Sequence, residues 1–265
     1  LHSAMPTTQA LKRCPNLILR PVNMAYYKSV SAQIHQIFRR YTDIIEPLSL
    51  EEAFLDVTDS AHCSGSATWI AEAIRQAIAQ ELKLTASAGV APLKFLAKIA
   101  SDQNKPNGIF VIPHEKVADF IHELPLKKIP GVGKVTQEKL TQLGLQTCAD
   151  IQQSDQALIY KTFGKFGQRL WAFSHGIDNR SIEPNRPRKS IAVENTLITP
   201  IDNLDEAKNI VSQQFESLKQ RLNRNCKDIP LSEFKKLGIK LKFDDFSQTT
   251  LERTMNGLTL ARFLT

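Results

Sequence analysis

The sequence predicts an α+β protein of several domains, and three observations lead to this fold class. Helix-like and strand-like segments alternate over residues 1–112, which is typical of a mixed sheet with helices packed on it. The strand pattern disappears over residues 113–176, where short helices alternate with glycine-containing turns. Residues 182–188 have the proline-rich, charged composition of an extended tether, and helix and strand patterns resume beyond it.

The alternating elements of the first part are predicted from apolar spacing and from prolines. Ile70, Ile74 and Ile78 form an i, i+4 row, which places them on one face of a helix. The predicted order is a helix over residues 6–12, a helix over 26–41, two strands within 44–57, a helix over 67–82, a strand over 85–90, a helix that starts near Pro92 and ends before Pro106, and a strand over 108–112.

The last part of the chain is predicted as a small α/β domain. The expected elements are a strand over residues 190–196, a long helix over 204–224 and a strand over 238–243, with a new helix beginning at 262–265. Two strands and little more than one helix make an incomplete sheet, so we expect this domain to be truncated.

The composition excludes several classes of protein. A chain of 265 residues is long enough for two or three domains. No apolar run approaches the roughly 18 residues needed to span a bilayer, and the first residues lack a signal-peptide layout, so we expect no membrane association. The four cysteines form no CxxC pair and the six histidines no HExxH motif. We therefore expect a reducing, cytoplasmic location and metal chemistry that depends on carboxylates.

The net charge of +7 is concentrated in the middle of the chain. Residues 1–126 are neutral, residues 127–189 carry +6 and residues 190–265 carry +1. A neutral part followed by a basic part predicts a polyanion partner for the middle. A basic surface can equally serve solubility, and charge alone leaves both interpretations open.

A carboxylate pair, Glu51 and Glu52, stands where the second strand of residues 44–57 begins. Two adjacent acids at the start of a mostly apolar strand are unfavourable unless a cation compensates them. Mg²⁺ favours one or two carboxylates together with substrate phosphates, so the pair is a candidate metal site. The alternative is an ordinary solvated strand end.

Residues 126–143 have the pattern of a helix-hairpin-helix, with Pro130-Gly131-Val132-Gly133 as the turn. Its backbone amides, at the start of the second helix, can bind a phosphate oxygen. The neighbouring lysines, Lys127, Lys128, Lys134 and Lys139, favour non-specific binding to a DNA backbone over an ordinary glycine-rich turn. A weaker echo at residues 163–167 could equally be a packing turn.

Lys105 begins a Lys-Pro-Asn-Gly turn at the end of the helix that carries Lys94 and Lys98. A lysine held by a stiff turn near a carboxylate pair can meet a triphosphate as a point charge. The motif is weak by itself, because Pro-Asn-Gly is a common turn.

Together these motifs resemble, in their order along the chain, the Y family of translesion DNA polymerases. The matching segments are Ser-Leu-Glu-Glu-Ala-Phe-Leu-Asp at residues 49–56, Ala-Gly-Val-Ala at 88–91, Ala-Lys-Ile-Ala-Ser-Asp at 97–102, Lys-Pro-Asn-Gly at 105–108, Pro-Gly-Val-Gly at 130–133, Phe-Gly-Lys-Phe-Gly at 163–167, Arg-Lys-Ser-Ile at 188–191 and Lys-Leu-Lys-Phe at 240–243. The resemblance covers essentially the whole chain.

The resemblance implies a domain order and a set of partners. Residues 1–20 would be partial fingers, 21–113 the palm, 114–181 the all-helical helix-hairpin-helix thumb, 182–189 the linker and 190–265 a truncated little finger. The implied activity is template-directed DNA synthesis past lesions. It would use primer–template DNA, deoxynucleoside triphosphates and two Mg²⁺ ions, with a sliding clamp whose expected contact lies beyond Thr265.

The resemblance also assigns roles to single residues. Glu51 and Glu52 would bind the metals, with Glu52 as a catalytic residue, and Lys105 would bind the triphosphate. The residues expected to contact DNA are Lys128, Gly131, Gly133, Lys134, Arg188, Lys189, Lys240 and Lys242.

Two departures from the family pattern leave an alternative open. The family's N-terminal strand carries the first metal-binding aspartate, and this sequence is expected to begin after it. The usual Asp-Glu pair is Glu51-Glu52 here, which adds a methylene where Mg²⁺ tolerates little geometric slack. The alternative is a non-catalytic fragment that grips duplex DNA by its backbone. A helix-hairpin-helix repair nuclease or glycosylase would share that grip but would not explain the carboxylate strand.

Overall fold

The computed structural model describes residues 1–2, 5–186, 188–226, 233–254, 259 and 261. The chain divides into two compact units, Leu1–Arg186 and Pro187–Thr265, so the division falls inside the stretch that the sequence predicts as a linker. Among the described helices, none combines the length and the apolar character needed to cross a membrane.

The first unit begins with alternating helices and short strands, as the sequence predicts. The elements are α1 (Thr7–Arg13), α2 (Met24–Phe38), β1 (Ile45–Pro47), β2 (Ala53–Leu55), α3 (Ala67–Ala77) with a π-helical turn (Ile78–Leu82), β3 (Ala88–Val90), α4 (Lys94–Ala100) and β4 (Ile109–Val111). Ile70, Ile74 and Ile78 are all buried and pack against Ile37 of α2, so the predicted i, i+4 row forms a small core.

The four strands form two separate pairs. Strands β1 and β2 are antiparallel, with Glu46 opposite Phe54, and β3 and β4 are parallel, with Gly89 opposite Phe110. Both polarities are present, as in the predicted mixed sheet, but no hydrogen bonds join the pairs into one sheet within the described ranges. Each strand has only three residues, which leaves few backbone groups to recruit a further strand.

The second half of this unit is helical. Its elements are α5 (Val117–Glu123), a 3₁₀ turn (Leu126–Lys128), α6 (Lys134–Gln142), α7 (Cys148–Gln152) and α8 (Gln156–Ser174), which is kinked at Gly164. One core of fully buried side chains, including Phe95, Ile129, Ile151 and Leu170, runs from α4 through α8. Helix α4 therefore belongs to the strand-containing part and also to the core of the helical part.

The second unit contains one long helix and one hairpin. These are α9 (Leu204–Asn225), β5 (Lys236–Lys242) and β6 (Gln248–Thr254), with β5 and β6 antiparallel. The predicted strand over residues 190–196 is wrong, because this segment forms no ladder with another strand in the part of the chain that is described. Strand β6 was not predicted. The predicted helix at residues 262–265 lies outside the described residues.

Candidate functional site

The carboxylate pair lies in the turn between β1 and β2, where the sequence places it. The hydroxyl oxygen of Ser49 accepts hydrogen bonds from the amides of Glu51, at 3.3 Å, and Glu52, at 3.1 Å. The carbonyl of Glu52 accepts from the amide of Leu48 at 2.8 Å. The turn is therefore tied at its centre, and it presents Glu51 to solvent with Glu52 partly exposed beside it.

A lysine on α4 neutralises the second carboxylate. The ammonium group of Lys98 lies 2.6 Å from a carboxylate oxygen of Glu52 and 3.9 Å from Asp102, one turn further along the chain. Asp102 is in turn paired with Lys105 at 2.6 Å. Carboxylates and ammonium groups thus alternate across the site, which keeps closely spaced charges compatible.

The charges around Asp102 and Lys105 shift their pKa values in opposite directions. Burial acts to raise the pKa of Asp102, but the hydrogen bond from Lys105 and the charges of Lys98, Lys105 and Lys128 outweigh it and lower that pKa. The hydrogen bond to Asp102 raises the pKa of Lys105. Both groups are therefore ionised at neutral pH, and Lys128 of the predicted hairpin contributes to the same electrostatic site.

The Lys-Pro-Asn-Gly turn is held in place by Arg75 of α3. The guanidinium donates to the side-chain oxygen of Asn107 at 2.8 Å and also to its carbonyl. A Cβ on Gly108 would lie 2.1 Å from the carbonyl oxygen of Asn104, so only glycine fits there. The ammonium group of Lys105 is bound to Asp102, and the charge of Glu52 also acts to raise the pKa of Lys105.

The helix-hairpin-helix turn is built by two glycines with different surroundings. Gly131 has a φ of +102°, and a Cβ there would lie 2.7 Å from the ring of Phe166 on α8. A Cβ on Gly133 would meet no atom within 4 Å. The echo at residues 163–167 therefore supplies a ring that supports the hairpin, while the space that a Cβ of Gly133 would occupy, at the start of α6, is open.

The cationic residues named for DNA contact lie on exposed surfaces of the two units. Lys128 and Lys134 flank the hairpin turn, and Arg188 and Lys189 are exposed at the start of the second unit. Lys240 and Lys242 share one face of β5, because alternate residues of a strand point the same way. Lys240 pairs with Glu194, and the ammonium group of Lys242 lies 4.8 Å from the ring centroid of Phe246.

Sequence analysis assigned no role to Lys98 and Asp102 of the site, or to Arg75, which holds the neighbouring turn. Lys98 was noted on its helix without a role, and neither Asp102 nor Arg75 was singled out. The one available signal was spacing: Lys94 and Lys98 are four residues apart, and Asp102 follows after four more, so all three share a helical face if the helix continues. Spacing alone did not show which acids this face meets.

Three sequence profiles match consecutive parts of the chain. The impB/mucB/samB family matches residues 1–102, the thumb domain of DNA polymerase-iota matches residues 127–178, and the C-terminal domain of the impB/mucB/samB family matches residues 188–261.

Curated relatives match over the whole length of the chain. DNA polymerase IV of Actinobacillus pleuropneumoniae serotype 3 is 73% identical over 264 residues, which is all of this chain and 74% of the relative. The chain belongs to the DNA polymerase IV family. DNA polymerase IV of Pasteurella multocida is 63% identical over 263 residues, 99% of this chain and 74% of that protein.

Solved structures of Y-family DNA polymerases are also similar to this member of the DNA polymerase IV family. A Y-family DNA polymerase chimera of Dbh and Dpo4 covers 100% of the chain with a TM-score of 0.88 at 28% identity, and the chain spans 75% of it. DinB from Sulfolobus solfataricus covers 100% of the chain with a TM-score of 0.62 at 26% identity, and the chain spans 76% of it. The resemblance to the Y family and the α+β multidomain fold class are therefore confirmed.

Proposed function

We propose that the turn carrying Glu51 and Glu52 is the metal-binding centre of a translesion DNA polymerase. The chain is a Y-family DNA-directed DNA polymerase, and proteins of this kind use divalent metal ions. One observation supports the assignment of the site. Glu52 lies beside Glu51 on the exposed turn, and it is paired with Lys98, which also lies close to the Asp102–Lys105 pair.

The residues present fit part of a Mg²⁺ site. Two adjacent carboxylates on an exposed turn supply the oxygen ligands that Mg²⁺ prefers, and they leave positions for substrate phosphates. Within the described residues no group of three or more His, Cys, Asp or Glu side chains is close enough to hold a metal, so the pair requires further ligands. Bound Mg²⁺ would activate the primer 3′-hydroxyl and neutralise charge on the triphosphate.

The protein's own side chains would then act by position and charge. Lys105 would break its ion pair with Asp102 and bind the triphosphate as a point charge. Lys98 would break its ion pair with Glu52 and pair with Asp102, which lies 3.9 Å away. The amides at the start of α6 and the hairpin lysines would hold the DNA backbone without reading its sequence. This mode of binding suits a template whose bases are damaged.

The remaining domain and partner assignments belong to the same proposal. Residues 1–20 would be fingers, 21–113 palm, 114–181 thumb, 182–189 linker and 190–265 little finger, and the sliding clamp stays a predicted partner. The free cysteines of the chain, Cys14, Cys63, Cys148 and Cys226, support a cytoplasmic location.

A carboxamide substitution tests the proposal. Glu52→Gln keeps the shape of the side chain and removes the metal ligand, so we expect primer extension to fall by more than about 100-fold, the upper range for losing a partner that only supports a ligand. Binding to primer–template should stay near wild type. Glu81→Gln, an exposed carboxylate paired with Arg40 in the same unit, is the control.

Two results would contradict this reading. Primer extension by Glu52→Gln at the wild-type rate would show that Glu52 is not a metal ligand. DNA binding without extension by the unsubstituted protein would favour the alternative, a non-catalytic DNA-binding fragment.

A further inference from the structure

Residues 178–183, which we call the strap, follow the last helix of the first unit and include the first two residues of the predicted linker. Asp178 begins the strap, and its side chain is only 1% exposed. Its carboxylate accepts a hydrogen bond from the backbone amide of Phe95 at 3.0 Å and two from the guanidinium of Arg180, at 2.7 Å and 2.8 Å. Because Phe95 lies in the first turn of α4, the strap binds the beginning of this helix.

Two aromatic rings reinforce this attachment. The ring of Phe95 is stacked on that of Phe173 with centroids 4.3 Å apart, and the guanidinium of Arg180 lies 5.0 Å from the ring centroid of Phe173. A cation over an aromatic face is attracted by the ring's quadrupole. The end of α8, the strap and α4 therefore form one packed assembly.

The far end of the strap is bound by a buried ion pair. Glu46 of β1 pairs with Lys94 of α4, and both side chains are 8% exposed. The ammonium group of Lys94 also donates to the carbonyl of Ser181 at 3.0 Å, and the carboxylate of Glu46 accepts from the amide of Glu183 at 2.8 Å. A buried ion pair is favourable only when its remaining hydrogen-bonding capacity is satisfied, and here the backbone of the strap does this.

The same helix and the same hairpin carry the candidate active site. Lys94 and Lys98 are one turn apart on α4, while Glu46 and Glu52 belong to one β-hairpin. Lys94 joins the helix to Glu46, and Lys98 joins it to Glu52. The buried pair therefore sets the separation between helix and hairpin at which Lys98 reaches Glu52.

We propose that the strap is a positioning element of the polymerase site. It holds α4 against the β1–β2 hairpin through Asp178 and through the Glu46–Lys94 pair. Asp178, Glu46 and Lys94 are positioning residues in this arrangement. The inference rests on the proposed role of Glu52.

The test releases the strap without substituting either residue of the buried pair. Glu183→Pro removes the amide that donates to Glu46, and Asn185→Pro, two residues further along the exposed chain, is the matched control. Hydrogen exchange measured by mass spectrometry should become about three- to tenfold faster in α4, because a typical net hydrogen bond changes an opening equilibrium by that factor. The single-turnover rate of nucleotide incorporation should fall by about 10- to 100-fold, while the apparent Kd for the nucleotide stays within about twofold.

A second variant reaches the same contacts from the other side. Glu46→Leu combined with Lys94→Met replaces the buried pair by apolar residues, a change that proteins often tolerate, and it removes both bonds to the strap. We expect the same faster exchange and the same loss of rate. The control combines Arg40→Gln with Glu81→Gln, two exposed residues of the same unit, and it also removes one ion pair.

The outcomes separate this inference from the proposed function. Faster exchange in α4 with an unchanged rate would overturn the positioning role, and unchanged exchange in both variants would overturn the attachment itself. If Glu52→Gln keeps full activity, the proposed role of Glu52 fails, while the exchange experiment still decides whether the strap holds the helix.

Discussion

The ammonium group of Lys98 lies 2.6 Å from Glu52, although 46 residues separate the two along the chain. A cation bound to Glu52, the proposed metal ligand, would compete with the metal. We therefore expect Lys98→Met to lower the half-saturating Mg²⁺ concentration of primer extension by about two- to fivefold, because partly exposed ion pairs contribute roughly 0.2–1 kcal/mol. Lys12→Met, at an exposed lysine of α1, should leave it unchanged. An unchanged or higher Mg²⁺ requirement for Lys98→Met would show that the pair does not compete with the metal.

Substitutions of Glu51 test whether glutamate, which is one methylene longer than the family's usual aspartate, can act as a metal ligand here. It is exposed on a turn, and a carboxylate with room to move can change between one- and two-oxygen ligation. In the active polymerase, Glu51→Asp should extend primers at or above the wild-type rate, because it restores the usual ligand length. Glu51→Ala should lower the rate by more than about 100-fold. If Glu51→Ala extends primers at the wild-type rate, Glu51 is not a metal ligand.

The patterns that depend on nearby residues were predicted well. Ile70, Ile74 and Ile78 are buried as their spacing indicates, and the carboxylate pair lies at the predicted turn. Strand β6 was missed because each of its residues is exposed, so it has no apolar alternation to detect. The segment at residues 190–196 shows the opposite error, since a favourable local pattern does not provide a partner strand.

The contacts that define the site could not be predicted, because each joins distant parts of the chain. Lys98 meets Glu52 across 46 residues, and the amide of Glu183 meets Glu46 across 137. Several acids and several lysines were available for pairing, and only the packing of α4 on the hairpin selects the partners. The predicted linker shows the same limit: its composition is that of a tether, yet at Glu183 its backbone is bound to a buried carboxylate.

The basic hairpin should dominate affinity for DNA. Lys127, Lys128 and Lys134 are exposed around the turn, and each neutralised phosphate contributes roughly 0.9 to the log–log salt slope. Replacing all three with alanine should weaken binding to every sequence alike and reduce the slope by about 2 to 3. The control variant replaces three exposed lysines elsewhere in the unit, Lys12, Lys83 and Lys116. An equal salt slope of DNA binding for both triple variants would show that the hairpin lysines do not contact the DNA backbone.

The two glycines of the hairpin should respond differently to alanine. Gly131→Ala combines a positive φ with a 2.7 Å approach to Phe166, so it should lower the free energy of unfolding by at least about 1–2 kcal/mol. Gly133→Ala meets no protein atom within 4 Å, so it should leave stability within about 0.5 kcal/mol but weaken DNA binding by obstructing a phosphate. Urea unfolding and DNA titration measure the two effects. Equal loss of stability in both variants would contradict the packing argument.

Asp178 should make the first unit sensitive to acid. Burial acts to raise its pKa, but the hydrogen bonds from Arg180 and from the amide of Phe95 outweigh burial and lower the pKa. An unfolded aspartate titrates near about 3.9. The stabilisation from Asp178 is therefore fully present above about pH 4 and is lost as the pH falls through the lower pKa of the folded state.

Asp178→Asn should remove this pH dependence. At neutral pH the variant should be about 1–3 kcal/mol less stable, because Arg180 loses its charged partner. Below about pH 4 the wild-type free energy of unfolding should fall more steeply than that of the variant, so the two curves converge. Both tryptophans, Trp69 and Trp171, lie in the first unit, so their fluorescence during urea unfolding follows this unit. Asp59→Asn, at an exposed aspartate of the same unit, should follow the wild-type curve. Parallel curves for wild type and Asp178→Asn would show that folding leaves the pKa of Asp178 unchanged, and the strap would then lose its charged attachment to α4.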